Sequence, residues 1–232
     1  MRVVVNTKRA KIERDRISTL LFDLDGVLIE SISGIVDSTN HCLSSLGLPA
    51  RTPGEIMLYI GSPLPRMFSD FAPDVDYDLI RPLFRERARQ VIVPSSNLLP
   101  HARETLDSCK AAGYRIGIGS TKIRGHIEGI IDKFSLGKVV DAFVGGDEAK
   151  PKPEPDIFLL AAERLDSEPD STLVIGDTVN DVQAARQAGM SVVTVESEFG
   201  DRSFLTHEPS DFHFADLFAF GEFALESGGI ER

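Results

Sequence analysis

Apolar positions recur along the chain with two different spacings, which predict where strands and helices lie. Continuous apolar runs of about four to eight residues are typical of buried strands, whereas apolar positions three or four residues apart are typical of helices. From about residue 98 onwards the two patterns alternate, which predicts βαβ units and an α/β fold with a parallel sheet. We expect strands at 19–23, 114–119, 140–144, 173–175, 191–195 and 212–214, and helices at 31–46, 101–112, 126–134, 156–165, 181–188 and up to about 226.

Strand-like runs disappear between about residues 50 and 95, where short helical patterns take their place. Helices are expected at 53–60, 65–71 and 76–91; we interpret the arginines of the last as a solvated face, and Pro82 predicts an irregularity in its first turns. We therefore expect two domains, a core formed by residues 1–33 and 99–232 and a helical domain of residues 34–98 inserted after the first strand. Linkers at 31–34 and 94–100 would let the inserted domain hinge. Near the N-terminus, residues 3–5 predict either a frayed lead-in or an extra strand.

Polar side chains follow several predicted strands at the point where each strand ends. Asp23 and Asp25 follow the first, Ser120 and Thr121 the second and Asp177 a third, and a loop rich in lysine and proline follows a fourth. Each strand end alone is consistent with an ordinary polar turn. Because the carboxyl ends of parallel strands meet at one edge of the sheet, where ligands bind, we expect these groups to share one site.

Phosphoryl transfer is the chemistry that these residue types suit. Several carboxylates at one point repel each other unless a cation lies between them, and oxygen ligands without histidine or cysteine favour Mg²⁺. Asp23 is a candidate nucleophile, since carboxylates form aspartyl-phosphates, and Asp25 a candidate general acid and base. The Ser120 hydroxyl and the Lys152 ammonium would hold phosphate oxygens as charge spreads over them.

Four separated motifs, taken in order, resemble those of the haloacid dehalogenase-like hydrolase superfamily over about residues 19–220. Residues 22–28, F-D-L-D-G-V-L, resemble the first motif, DxDG[VT]L, and Ser120 resembles the second, a single Ser or Thr. Lys152 before P-E-P-D resembles the third motif, and residues 176–181, G-D-T-V-N-D, resemble the fourth, GDxxxD. The resemblance implies a Rossmann-like core, with a three-layer parallel sheet, and an inserted α-helical cap domain.

The resemblance also implies a role for each matched acidic residue. Asp23 would be the nucleophile and a metal ligand, and Asp25 would be the acid and base with its backbone carbonyl on the metal. Asp177 would bind Mg²⁺ directly, and Asp181 would bind it directly or through water.

The same resemblance implies that the second and third motifs bind the phosphate. Ser120 and Lys152 would hold the phosphate, and Thr121, beside Ser120, is a further candidate for substrate binding. One ambiguity remains in the third motif, because residues 150–153 read K-P-K-P and Lys150 fits a register shifted by two residues.

The inserted segment resembles the cap of the phosphoglycolate phosphatase-like branch of the superfamily. Residues 60–64, I-G-S-P-L, resemble its GxPL loop, although an ordinary turn between helices has the same composition. Glu30 and Ser31 stand where the branch usually has Asp-Ser, and Thr121 stands where Asn is commoner. We expect a Mg²⁺-dependent phosphatase acting on a small phosphorylated metabolite, phosphoglycolate or similar, and these departures leave the substrate's identity open.

Three other functions compete with this interpretation. A dehalogenase of the superfamily would not need the second carboxylate, Asp25. A sugar phosphomutase of the β-phosphoglucomutase type shares nearly all four motifs, and the GxPL-like loop favours hydrolysis over it. An inactive binding module does not need the intact set of carboxylates and Lys152. Arg66 is a candidate contact for the leaving group, with an exposed surface position as the simpler interpretation.

Composition limits the partners and the compartment. Acidic residues outnumber basic ones 36 to 25 and the net charge is -11, which argues against a general nucleic-acid or anionic-membrane surface. No apolar run approaches the roughly 20 residues that span a bilayer, and the N-terminal apolar run is too short for a secretory signal. Cys42 and Cys109 form no CxxC motif and are expected as reduced thiols. We expect a cytoplasmic protein, with a monomer favoured and a dimer left open.

Overall fold

The computed structural model describes residues 4–5, 16–198 and 209–226, with a seven-stranded sheet at the centre. The sheet order is β1-β9-β8-β7-β2-β5-β6, in which β1 is antiparallel to β9 and every other neighbouring pair is parallel. Two further short strands, β3 and β4, pair with each other outside this sheet. The strands are β1 Val4–Val5, β2 Thr19–Phe22, β3 Ile29–Glu30, β4 Asn97–Leu98, β5 Arg115–Gly119, β6 Ala142–Val144, β7 Thr172–Gly176, β8 Ser191–Val195 and β9 Phe212–Phe214.

Helices cover both faces of this sheet, as the alternating pattern predicts. They are α1 Ile32–Ser45, α2 Pro53–Met57, α3 Leu64–Phe71, α4 Tyr77–Ser95, α5 Ala102–Ala111, α6 Arg124–Lys133, α7 Asp156–Arg164, α8 Val179–Gln187 and α9 Leu217–Leu225. The expected α/β fold with a mostly parallel sheet is confirmed. No helix in the described ranges is both long and apolar enough to cross a bilayer.

The central strands are apolar throughout because both of their faces are buried. In β2, Leu20 and Phe22 point to one face and Leu21 to the other, as the two-residue period of a strand requires. The first face packs on α5, α6 and α9, and the second on α7 and α8. This three-layer arrangement fixes the sheet, so that the residues after each parallel strand lie along one edge.

The inserted helices α1–α4 bury a cluster of their own. The cluster includes Leu43, Ile56, Phe68, Phe84 and Ile92 and is separate from the two clusters that flank the sheet. The segment therefore has the hydrophobic core that a cap domain needs, and the exact boundaries, residues 34 and 98, stay a prediction.

Two local expectations about this segment are wrong. Residues 94–100 were expected as a linker, but α4 extends to Ser95 and β4 pairs with β3. This two-stranded ribbon lies where the chain passes between the inserted helices and the sheet. Helix α4 runs unbroken through Pro82. Pro82 lacks the N–H that would bond to the Asp78 carbonyl, and both residues are exposed, so water can satisfy that carbonyl.

The N-terminal expectation of an extra strand is confirmed for Val4 and Val5, which form β1 at the edge of the sheet beside β9. Residues 6–15 of the charged stretch that follows lie outside the described part of the chain.

Candidate active site

Two carboxylates lie immediately beyond β2, at the edge of the sheet where the parallel strands end. The backbone N–H of Asp23 donates to the Ile175 carbonyl at 2.8 Å, so pairing with β7 continues one residue past β2. The chain then turns at Gly26, whose φ is +83°. A Cβ on Gly26 would lie 2.1 Å from Oδ2 of Asp177, so both the left-handed conformation and the approach of Asp177 require glycine.

The end of β7 and the start of α8 supply two more carboxylates. Asp177 follows β7, and Thr178 is the N-cap of α8. Oδ2 of Asp181 accepts hydrogen bonds from the Thr178 backbone N–H at 3.0 Å and from its hydroxyl at 2.7 Å. The first of these is one half of the capping box with which α8 begins. These contacts fix Asp181 so that its second oxygen faces the site. Asp23, Asp177 and Asp181 are all buried, and each offers a carboxylate oxygen within 4.8 Å of the others.

The Lys152 ammonium is buried among these carboxylates. Its Nζ donates to Oδ1 of Asp23 at 2.5 Å and to Oδ1 of Asp181 at 2.6 Å, and the side chain is 2 % exposed. Lys150, the alternative in the third motif, is 71 % exposed, and its Nζ lies 3.9 Å from the Asp156 carboxylate. The structure thus brings Lys152 to the carboxylates and leaves Lys150 on the surface.

Burial makes the charge of this cluster costly. Desolvation, opposed by Lys152 and supported by a smaller effect of Asp181, raises the pKa of Asp23 to about 7. Desolvation also raises the pKa of Asp177 well above its usual range, and Asp181 and Asp23 add to the effect. Burial alone would lower the pKa of Lys152, but the Asp181 and Asp23 carboxylates outweigh it and the net shift is upwards.

A divalent cation fits this donor set. Both oxygens of Asp177 are buried and neither accepts a hydrogen bond, although the Ser197 hydroxyl lies near enough to lower its pKa. One ammonium, Lys152, faces three carboxylates, so negative charge remains in excess at a site built of oxygen donors. Hard cations bind such donors and would relieve the repulsion that raises the pKa values.

Asp25 is held by two residues that the motif comparison did not select. Oδ1 of Asp25 accepts a hydrogen bond from the Ser31 hydroxyl at 2.5 Å, and Lys122 Nζ lies 3.0 Å from its Oδ2. Lys122 also donates to Ser31 Oγ at 3.1 Å. Lys122 stands two residues after Ser120 at a strand end, and no sequence pattern predicts its pairing with Asp25.

Ser120 and Thr121 lie at the end of β5, the strand beside β2. The Ser120 backbone N–H donates to the Val144 carbonyl at 3.1 Å, and its hydroxyl accepts the Lys122 backbone N–H at 3.2 Å. Ser120 is buried, whereas Thr121 is partly exposed and lines a cavity together with Asp25. The structure therefore brings the motif residues to this one edge of the sheet and leaves the alternative, Lys150, on the surface; the motif residues are Asp23, Asp25, Ser120, Thr121, Lys152, Asp177 and Asp181.

That cavity, of about 260 Å³, separates the edge of the sheet from the inserted helices. The GxPL-like loop forms part of its wall, and the Gly61 carbonyl accepts a hydrogen bond from the Asn180 side chain at 3.0 Å. Gly61 has a φ of +79°, and a Cβ there would lie 3.0 Å from Cγ2 of Thr178. The loop is thus seated against the fourth motif. Arg66 is exposed and is not part of the cavity wall.

Two further polar residues of the cavity, Arg85 and His126, were not predicted as site residues. Arg85 projects from α4, and the expectation of a wholly solvated arginine face is therefore wrong at this position. His126 projects from α6 on the opposite wall. Neither has a sequence signal, because their importance follows from the packing of the inserted helices over the sheet.

Comparisons with known proteins agree with this geometry. The sequence profile of the haloacid dehalogenase-like hydrolases matches residues 20–195. A phosphoglycolate phosphatase from Aquifex aeolicus is 31 % identical over 202 residues, covering 83 % of this chain and 93 % of the relative. The pyrophosphatase PpaX from Bacillus velezensis is 30 % identical over 199 residues, covering 84 % and 90 %. The crystal structure of a haloacid dehalogenase-like hydrolase from Bacteroides fragilis superposes with a TM-score of 0.82 at 31 % identity, covering 89 % of this chain and 99 % of that one.

Proposed function

The chain belongs to the haloacid dehalogenase-like hydrolase family, and we propose that it is a Mg²⁺-dependent phosphatase that hydrolyses a small phosphate monoester through an aspartyl-phosphate. The observation that carries the proposal is the buried cluster of Asp23, Asp177 and Asp181 with the Lys152 ammonium bonded to two of them. When bound, Mg²⁺ would neutralise excess charge of the carboxylates and of the phosphate. Asp23, Asp25, Asp177 and Asp181 are the residues that would hold it.

Asp23 and Asp25 divide the two half-reactions between them. In the first, an Asp23 oxygen attacks phosphorus, the bond from phosphorus to the ester oxygen breaks, and Asp25 gives that oxygen a proton. In the second, Asp25 takes a proton from water, the water oxygen attacks phosphorus, and the bond from phosphorus to Asp23 breaks to release phosphate. The proton that Asp25 gives in the first half-reaction is replaced by the one it takes in the second, so the proton balance closes.

The remaining residues position these groups. Lys152 would contact a phosphate oxygen while holding Asp23 in place, and Ser120 and Thr121 would bind the other phosphate oxygens at the end of β5. Ser31 and Lys122 hold the Asp25 carboxylate at the cavity wall. We keep Lys150 out of the site because its ammonium is on the surface.

Phosphoglycolate and pyrophosphate are the first substrates to test, because similar proteins carry those names. A sugar phosphomutase would instead pass the phosphoryl group from Asp23 to a second sugar hydroxyl. Incubation with a hexose 1-phosphate and its bisphosphate distinguishes the two reactions: a phosphatase releases inorganic phosphate, and a mutase yields the 6-phosphate.

The function is tested with p-nitrophenyl phosphate, in Mg²⁺ and in chelator. We expect hydrolysis to stop in chelator and return with Mg²⁺, and Asp23→Asn to abolish it while exposed Asp74→Asn does not. As a second readout, Mg²⁺ should raise the Tm of the wild type and not that of Asp177→Asn. Hydrolysis that persists in chelator or in Asp23→Asn contradicts the proposal.

We further propose that the protein works in the cytoplasm as a monomer. Cys42 and Cys109 are both buried free thiols, and burial raises the pKa of Cys109 to about 12, so neither is poised for oxidation. Light scattering and cell fractionation test the two statements.

A further inference from the structure

Arg85 presents a cationic group to the cavity without a carboxylate partner in the described part of the chain. Two other arginines of α4 are paired, Arg81 with Asp78 at 3.3 Å and Arg87 with Asp37 through two hydrogen bonds of 2.5 and 2.9 Å, and Arg89 is exposed to water. Arg85 is half-buried and lines the cavity, but it forms no ion pair with any described residue. A partly desolvated guanidinium without a counter-ion is costly, so an anionic ligand that fills the cavity would stabilise it.

The cavity offers Arg85 no anion of its own. Asp25 is the sole acidic residue among the described residues that line it, and Lys122 and Ser31 already hold both oxygens of that carboxylate. On the α6 wall, Nε2 of His126 is buried and forms no hydrogen bond. Burial, with Lys122 adding to the effect, lowers the pKa of His126 to about 4, so the imidazole is neutral and can bond a polar atom of a ligand.

Most of the remaining wall is apolar. It is formed by side chains of α1–α4 and by the loop before α6, among them Ile35, Ile56, Leu64, Met67, Phe84 and Ile92. The cavity has a volume of about 260 Å³. A two-carbon leaving group such as glycolate would leave most of that space, and most of the apolar wall, without contact.

From these observations we propose that the leaving group is an anion with an apolar body longer than glycolate, and that its carboxylate or terminal phosphate binds Arg85. The proposal rests on the phosphatase function given above, because it assigns the far end of the same substrate. The phosphoester would lie at Asp23, the apolar body against the inserted helices, and the anionic end on α4. Arg85 is then the residue that determines specificity, while the chemistry stays with the edge of the sheet.

A matched set of alkyl phosphates tests the proposal. We compare 4-phosphooxybutanoate with butyl phosphate, which lacks the carboxylate, with phosphoglycolate, which is shorter, and with 1,4-butanediol bisphosphate, which carries phosphate instead of carboxylate. In the wild type we expect kcat/KM for 4-phosphooxybutanoate or the bisphosphate to exceed that for both butyl phosphate and phosphoglycolate by about tenfold or more. The better substrate of these two shows whether Arg85 binds a carboxylate or a phosphate.

The variant Arg85→Gln separates this binding site from the rest. This variant should lower kcat/KM for the preferred anionic substrate by about 10- to 100-fold, because a hydrogen bond to a charged group is lost. Its kcat/KM for butyl phosphate should change less than twofold. Arg81→Gln, one turn earlier and paired with Asp78, is the control and should change neither. Arg85→Lys, which keeps the charge, should recover part of the loss and also covers the case in which Arg85→Gln fails to fold.

Two results overturn the inference: equal effects of Arg85→Gln on the anionic and the neutral substrate, or a wild-type preference for butyl phosphate. A higher kcat/KM for phosphoglycolate than for 4-phosphooxybutanoate would contradict the inference that the leaving group is longer than glycolate. Failure of the phosphatase function looks different, since none of these esters would then be hydrolysed in an Asp23-dependent way.

Discussion

Lys152 is the residue on which the charge balance of the site depends most directly. Its ammonium contacts the buried carboxylates of Asp23 and Asp181 and bridges them across two strand ends. The pKa of Asp23 is raised to about 7 even with this partner present. Removing the ammonium would leave both carboxylates buried without a partner, which costs about 3–5 kcal/mol at typical sites.

Lys152→Met is therefore expected to lower kcat by about 10²-fold or more, because a charge-stabilising donor is lost. It should also lower the urea midpoint of unfolding measured in chelator. Lys150→Met, two residues away and on the surface, is the matched control. If Lys150→Met costs more activity than Lys152→Met, the assignment of the third motif is wrong.

Ser31 has a narrower role, since it touches the reacting groups only through Asp25. Ser31→Ala should lower kcat about 10- to 100-fold through loss of a hydrogen bond to a charged group, while Mg²⁺ binding followed by Tm stays unchanged. The pH profile of kcat should shift, because the partner of the acid and base is altered. An unchanged pH profile together with unchanged kcat would show that Ser31 serves only the packing of β3.

At the residue scale, the sequence predicts which motif carboxylates meet at the site, but it does not predict the residues that bind Asp25. Asp23, Asp177 and Lys152 each follow a recognisable strand, so topology alone brings them to one edge. Lys122 and Ser31 meet at Asp25 only because β3 folds back beside the first motif, and no local pattern encodes that contact.

At the scale of elements, the loop after β6 shows how charge fixes a strand end. The Glu148 carboxylate accepts the Gly145 backbone N–H at 2.8 Å, Arg164 of α7 at 2.8 Å and Arg124 of α6 at 3.0 Å. The Arg164 hydrogen bond is the largest of the effects that lower the pKa of Glu148 to about 2. One carboxylate thus ties helices from both faces of the sheet to the loop before Lys152.

This shift makes stability depend on acid in a defined direction. The pKa of Glu148 is lower in the folded than in the unfolded protein, where it is near its ordinary 4.5, so the stabilisation is complete above about pH 4.5 and is lost as pH falls towards 2. After allowance for solvent screening we expect about 1–2 kcal/mol. Glu148→Gln should lower the urea midpoint at pH 7 and lose less stability than the wild type between pH 5 and 3. Equal acid sensitivity of the two proteins would contradict this role.

Most elements were predictable, and the short ribbon of β3 and β4 was not. The strands β2, β5, β7 and β8 are apolar on both faces and stand out from the sequence, and helix bounds differ from expectation by up to four residues. The ribbon of β3 and β4 has two residues per strand, too few for any period to show. Pro82 misled because local propensity ignores exposure, and α4 tolerates a missing hydrogen bond on its solvent side.

The whole molecule is two hydrophobic bodies, the sheet with its helices and the group α1–α4, joined by the β3–β4 ribbon. Lys133 of α6 donates to the carbonyls of Val93, Pro94 and Ser96. These hydrogen bonds fix the end of α4 beside the β3–β4 ribbon. At the far side the contact is small: the Gly61 carbonyl accepts the Asn180 amide. A hinge needs one end that is fixed and another that separates easily. Here the ribbon end is fixed and the Gly61–Asn180 contact is small, and we propose that opening at Gly61 admits substrate.

A reversible cross-link tests this opening. A Cβ at Gly61 would lie 3.7 Å from that of Thr178, inside the roughly 3.5–4.5 Å of disulfides. Gly61→Cys combined with Thr178→Cys should lose most turnover when oxidised and regain it on reduction. The single variants control for the strained φ at Gly61 and for the lost Thr178 hydroxyl. An oxidised double variant that turns over like its reduced form would contradict hinge opening.

The central claim is that Asp23 carries the phosphoryl group, and acid quenching of the enzyme during the first turnover tests it most directly. The protein is mixed with substrate and Mg²⁺, quenched within milliseconds and digested, and the masses of the peptides are measured by mass spectrometry. The account predicts one phosphate on the peptide that contains Asp23, absent from Asp23→Asn and from samples mixed with substrate in chelator instead of Mg²⁺. Phosphate on another residue, or full turnover with no phosphorylated peptide at any time, would contradict it.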